Sequence, residues 1–189
     1  MLISPLLKVS GEILVKQVQL EQSQLAAAQA NRALELIGRA IRMAGYINVR
    51  TFDVKNPKQE LLEIQKGVGL NRSDAIFIKH EISDGTDFDC IGNALTKERT
   101  KNHLAHQGFF LERQAGMPKG VRINGGSLMC QSLDRQGRLQ NTTLMNGVHH
   151  LAIEGLQPSP QKIFRVTIQM DLGKATSEFT QTFARRNLH

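Results

Sequence analysis

The sequence predicts an α+β fold, a long N-terminal α-helix packed on an antiparallel β-sheet. Two patterns predict it. Leu34, Ile37, Ile41 and Ala44 recur at three- and four-residue intervals, which places them on one helix face. From Asp74 onward the chain changes to short runs of β-branched and aromatic residues broken by Asn-Gly and other turn signals. A helix followed by runs of strands belongs to the α+β class, with the helix lying on one face of the sheet.

The helix is expected from about Leu6 to Ala44, a stretch rich in Leu, Ala, Gln, Glu, Lys and Arg. At 1.5 Å per residue it would be about 60 Å long, more than the diameter of a domain this size. Arg39 and Arg42 sit in its last turns, where cations are favoured, and Gly45 can take the left-handed conformation that ends a helix. The two halves differ. Leu2, Leu6, Val9 and Ile13 form a seam near the start, whereas "KQVQLEQSQ" (16–24) is mostly polar. The apolar stripe returns with Ala26, Ala30, Ala33 and Leu34. Residues 1–24 are therefore expected to project as a stem, and residues 25–189 to form the globular head. A coiled coil is the rival, but the heptad breaks at Lys16, Ser23 and Gln24.

Strands are expected at 74–82, 108–114 and 123–133, the last after an Asn-Gly turn. A turn at 134–137 leads into 138–145, and a second Asn-Gly at 146–147 separates it from a strand at 148–156. After a loop at 157–160, strands at 162–172 and 177–187 complete the chain, with a turn near Gly173 between them.

Of 189 residues, 40% are hydrophobic and 22% charged, so a soluble core of ordinary composition can form. With no Trp and one Tyr, it must rest on aliphatic residues and eight Phe. The net charge of +7 suits a polyanionic partner or a solvated basic surface. Lys97, Arg99 and Lys101 form one short basic group, and Arg185 with Arg186 another; these are the candidates for contacting DNA. No run of about 20 apolar residues spans a membrane. The opening "MLISPLLKVSGEILV" reads either as the end of a longer apolar segment or as a helix beginning at Pro5.

The chemistry-bearing residues do not assemble into a catalytic set. Neither a Gly-rich phosphate loop nor a nucleophile elbow is present in the sequence. His103 and His106 have helical metal-ligand spacing without further ligands, and Asp84, Asp87 and Asp89 lack the distal Glu of an EF-hand loop. His149 and His150 are adjacent and would point to opposite faces of a strand. Cys90 and Cys130 lack zinc-ligand spacing; residue patterns leave open whether they pair or stay as two buried thiols. No enzyme activity, cofactor, metal or small-molecule substrate is expected.

The helix end "LELIGRAIRMAGY" resembles the PilW-type minor pilins of type IV pili, related to the J-type pseudopilins of type II secretion. Arg42, Met43, Ala44, Gly45 and Tyr46 match the family's helix ending. The resemblance continues through "SDAIFIKHE" (73–81), "DCIGN" (89–93), "GFFLER" (108–113), "LMC" (128–130) and "LMNGVHHLAIEGL" (144–156). It implies a pilin-like fold with Leu34, Ile37, Ile41 and Ala44 packing the helix on the head. It also implies an exported head with Cys90 and Cys130 joined, since disulfides persist in oxidising compartments. The leader, prepilin peptidase site and continuous apolar helix of such pilins are not seen, so membrane insertion is implied by resemblance alone.

By that resemblance the expected function is a structural subunit in the initiation or tip of a type IV pilus. Its partners would be other minor pilins and the major pilin. An N-terminal helix would anchor it in the inner membrane, with the head periplasmic and later exterior. The alternatives are a DNA-contacting tip module for transformation, or a J-type pseudopilin.

Overall fold

A computed structural model describes residues 3–48, 61–83, 85–118, 120–121, 125–156, 162–172 and 176–187, the first eight as backbone alone. Helix α1 (Ile3–Met43) is followed by β1 (Leu62–Gln65), β2 (Ala75–Glu81), β3 (Leu104–Glu112), β4 (Gly126–Leu133), β5 (Leu139–Gly155), β6 (Ile163–Asp171) and β7 (Thr176–Ala184). The strands form one antiparallel sheet in sequence order. The α+β, pilin-like expectation is corrected by this topology. The chain is mostly β, a curled seven-stranded meander, and its one described α-helix does not make it a clear pilin fold. The long helix misled because only its C-terminal half meets the sheet, so strands build most of the core.

Alternation decides which face each strand buries. Ile76 and Ile78 on β2, Phe109 and Leu111 on β3, Leu128 and Cys130 on β4 point inward. So do Leu151 and Ile153 on β5, and Phe164, Val166, Ile168 and Met170 on β6. Helix α1 fills the concavity with Ala26, Ala30, Ala33, Leu34, Ile37, Ala40, Ile41 and Ala44. Gly38 lets β7 close on the helix, because a Cβ there would run into the Phe183 ring. The Arg42 guanidinium lies over that ring, 5.9 Å from its centroid.

The stem half of α1 is different. Every residue from Gly11 to Leu25 is exposed, including Ile13 and Leu20 at 59% and Leu25 at 61%. Side chains of Leu6 and Val9, and of Leu2 before the helix, lie outside the described residues.

β5 departs from the sequence reading. The expected turn at Asn146-Gly147 does not form, and one 17-residue strand runs through it. Gly147 keeps its left-handed φ of 77°, and the pairing slips at Gly126/Ser127 and again at Val148/His150. A left-handed Gly serves a bulge as well as a turn, and the bulge won. Beyond Val148, β5 outruns β4 and its backbone needs other partners. The 66–74 segment supplies them at His149, Leu151 and Ile153. Asn71 Nδ2 donates to the His149 carbonyl at 2.8 Å, and Leu151 N–H donates to Ser73 Oγ at 3.1 Å. Asp74 N–H donates to the Leu151 carbonyl, Ile153 N–H donates to Asp74 Oδ2, and Lys66 Nζ donates to the Ile153 carbonyl. Buried backbone groups must be paired, and here polar side chains stand in for a missing strand.

β1 was not foreseen. It pairs with only the first part of β2, and the chain after the helix takes the rest: Gly45 N–H donates to the Lys79 carbonyl and Glu81 N–H to the Tyr46 carbonyl. The expected loop at 157–160 and the turn near Gly173 lie outside the described residues.

Truncation of Ile41 to Ala is expected to cost about 2–5 kcal/mol, whereas Val18→Ala should fall within about 0.5 kcal/mol of the parent. Urea unfolding of the two variants decides it; equal losses would place the stem against the head. Gly38→Ala should destabilise by about 1–3 kcal/mol through overpacking against Phe183, although helix propensity alone would make it stabilising.

Candidate functional site

Two seams on α1 are the strongest functional feature. Leu34, Ile37, Ile41 and Ala44 are fully buried and hold the head. Leu14, Val18 and Leu25 are exposed and spaced by four and seven residues, so they share a second face. At 100° per residue that face lies roughly 140° around the helix from the head-binding one. Packing on the head therefore leaves the second seam open along the stem.

The end of the helix is fixed by β2 and by the segment that follows β7. Gly45 turns the chain with φ 73° and bonds to β2. Arg185, just after β7, donates from Nε to the Ala44 carbonyl at 3.2 Å, and Asn187 Nδ2 donates to the Arg42 carbonyl at 3.3 Å. These side chains satisfy carbonyls that a helix end leaves without intrahelical partners. Burial lowers the Arg185 pKa from its ordinary value, though its guanidinium remains a cation serving the helix end.

Cys90 and Cys130 are bonded, with Cα atoms 6.1 Å apart across 40 positions of sequence. Cys130 is an inward residue of β4, so the bridge ties the 82–103 segment to the concave face. Asp89 organises that segment: its carboxylate accepts from the N–H groups of Ile91 at 3.0 Å and Asn93 at 2.8 Å, and from Asn93 Nδ2. Arg39 on α1 reaches across to the Asp89 carbonyl at 3.0 Å, so the segment is held by helix and sheet together.

Two of the basic residues named from sequence are engaged within the fold. Arg99 donates to the Leu133 carbonyl at 3.2 Å and sits 3.7 Å from Asp89, with its side chain largely buried. Arg185 is spent on the helix end, as above. Lys97, Lys101 and Arg186 are exposed. His103 and His106 are not on a helix: His103 occupies a left-handed turn position, and His106 lies on β3, bonded to Gln131. Asp87 accepts from Ser83 N–H and Asp89 from its own loop, while Asp84 lies outside the described residues. His150 lies 3.3 Å from Ser73 Oγ, but that serine is fully buried and structural. Among the described residues no His, Cys, Asp or Glu cluster could hold a metal, and no helix is long and apolar enough to cross a membrane.

Sequence reasoning missed the buried pair of His80 and Gln107. The His80 Nδ1 lies 2.8 Å from the Glu81 carbonyl, so that nitrogen carries the proton. Its Nε2 then accepts from Gln107 Nε2 at 3.1 Å, which leaves Gln107 Oε1 without a partner among the described residues. Alternation in "AIFIKHEI" could have revealed an inward His80, but the ring's partner lies 27 residues away.

Burial holds the His80 pKa below its ordinary 6.5, opposed by the Glu81 carbonyl and Asp87 and aided by Arg39. The folded state thus resists a proton that the unfolded chain accepts. Stability should be full above pH 6.5 and fall as pH drops below it. At Asp74, burial raises the pKa, but Lys66 and the N–H groups of Ile153 and Gly67 outweigh it and leave the carboxyl below its usual 3.8. Its contribution is present above that value and is lost on further acidification. Urea midpoints measured from about pH 8 downward should therefore decline first near the ordinary histidine value of 6.5. His80→Gln should reduce that first decline, leaving the part due to His106, whose pKa burial also lowers, and an unchanged slope would exclude His80 as a source. Opening the bridge by Cys90→Ser with Cys130→Ser should cost about 4 kcal/mol in the chain-entropy view.

Comparison with protein-family models, with curated proteins and with solved structures returns no match for this chain.

Proposed function

We propose that this chain is a structural, non-enzymatic subunit of the minor pilin kind, assembling into the initiating or tip complex of a type IV pilus. The observation that carries the reading is the stem: residues 11–25 are exposed throughout, and Leu14, Val18 and Leu25 line one side of them. Apolar side chains arranged in a helical seam bind other helices by ridge-and-groove packing, which needs no catalytic group. The support is the stem, the helix ending "RMAGY" and the disulfide-tied head, not the topology of the sheet. Its partners in this reading are the stems of other minor pilins and of the major pilin. The head stands in the periplasm before assembly and outside the cell afterwards, and the helix's N-terminal continuation contacts the inner membrane. A J-type pseudopilin of a secretion machine would use the same stem in a different assembly.

The DNA-contacting alternative draws less support. Arg99 and Arg185 commit their guanidinium groups to internal carbonyls, which leaves Lys97, Lys101 and Arg186 as the exposed cations of the two groups. Such a set can make only a few phosphate contacts, and each contributes a slope of about −0.9 in log affinity against log salt.

Replacing Val18 and Leu25 by Arg should abolish co-assembly with partner pilins while leaving the urea midpoint of the head unchanged. Partner binding by the parent should change little with salt, because apolar packing is not screened. Assembly that tolerates both Arg residues, or steeply salt-dependent duplex DNA binding with no partner binding, would overturn the proposal.

A further inference from the structure

The outer face of the sheet, turned away from α1, carries a second organised surface. Strand register sets Glu63, Phe77, Gly108, Gln131 and Asn141 opposite one another across β1 to β5. Gly108 leaves room for the Phe77 ring to lie over the backbone, since a Cβ there would stand 2.7 Å from Phe77 Cδ1. The rings of His106 and Phe110 flank it at centroid distances of 6.0 and 6.2 Å, with planes turned by 25° and 35°. Three half-buried rings, the His106 ring stacked on Phe77 and the Phe110 ring tilted to it, tile one shallow shelf.

A directed polar chain runs beside the shelf. His106 Nε2 donates to Gln131 Oε1 at 2.9 Å, because Gln131 Nε2 is already a donor to Asn141 Oδ1 at 3.0 Å. The chain ends on Asn141 Nδ2, an exposed donor that has no protein acceptor among the described residues. Phe77, Phe110, Gln131 and Asn141 line an open groove of about 550 Å³. Its charged lining is one Glu112 and one Arg113, and Arg113 already donates to the carbonyls of Pro118 and Val121. The charges lining the groove therefore balance, and Lys79, opposite His106 in the strand register, is a cation beside the ring shelf.

We propose that this groove binds a neutral carbohydrate, with the apolar face of a pyranose ring on Phe77 and Phe110. Its hydroxyl oxygens accept from Asn141 Nδ2, and a hydroxyl donates to the Glu112 carboxylate. Balanced charge argues against a polyanion, since strands of nucleic acid need cations beside the stacking rings. The oriented amides argue against a purely apolar segment, which would leave them facing carbon. Flat apolar area with a few placed polar groups is the usual composition of a small-ligand site. The inference uses the head's outer face alone and stands independently of the stem's role.

The test is titration of the folded, disulfide-bonded chain with chitotetraose, cellotetraose and maltotetraose, read by calorimetry and amide NMR shifts at low and high salt. A short oligodeoxythymidine is the charged comparison. At least one neutral tetraose should shift the amides of Phe77, Phe110 and Asn141, with an affinity that salt does not change. Asn141→Ala, at an exposed position, should weaken binding about three- to tenfold, and Phe110→Leu, which keeps an apolar side chain without the flat ring, by a similar factor. The proposal is overturned if no tetraose binds at millimolar concentration, or if the oligonucleotide displaces the sugar with a steep salt dependence. It is also overturned if the same amides shift with protein concentration alone, which would show that a second copy covers the face.

Discussion

The fold depends on one contact: the C-terminal half of α1 lying in the concave face of the sheet. Seven strands joined in sequence order have no crossover to hold a curl, so something must fill the space inside it. Leu34, Ile37 and Ile41 do so from the helix, meeting Val166 and Ile168 of β6 and Phe183 of β7 within one core. The curl in turn brings elements distant in sequence to the helix end. Lys79 of β2 and Arg185 beyond β7 both bond to consecutive residues, Gly45 and Ala44. Without the helix, the two sides of the meander would have no common partner.

Backbone hydrogen bonding explains the places where the meander is irregular. A long β5 beside a shorter β4 leaves peptide groups that neither neighbour reaches, and Ser73 and Asp74 take them with side chains. A short β1 beside a longer β2 leaves a similar gap, which residues 45 and 46 close on their way out of the helix. Both repairs use residues in segments that looked like connections. They cost no strand, and they fix where the connecting chain must cross.

Much of this was legible because the informative patterns are local. The spacing of Leu34, Ile37 and Ile41, the glycine after Ala44 and the alternation of β2, β4, β6 and β7 need only a few neighbouring residues to read. The illegible parts depend on partners far away. Whether Asn146-Gly147 turns or bulges is decided by strands on either side, not by the dipeptide. "LEIQ" at β1 carries too little pattern to stand out, and it becomes a strand because β2 offers an edge. Arg99 and Arg185 read as surface cations, yet each finds a carbonyl more than 30 residues away. The class was misjudged for a related reason. Length made the helix look like half of the protein, while burial shows that about half of the helix belongs to the head.

The stem and the head also divide the physical work differently. In the head, polar groups are committed: Asp89 organises a loop, Asp74 completes a strand edge, and Arg185 closes a helix. A domain whose charged groups are engaged inside is left with little strong, directional recognition to offer at those positions. Among the described residues, two open surfaces are of another kind, the apolar seam of the stem and the ring-and-amide shelf of the outer sheet face. Both recognise by shape and dispersion more than by charge. A net charge of +7 without a committed cluster of cations then belongs to the solvated surface, where it favours solubility more than any single contact.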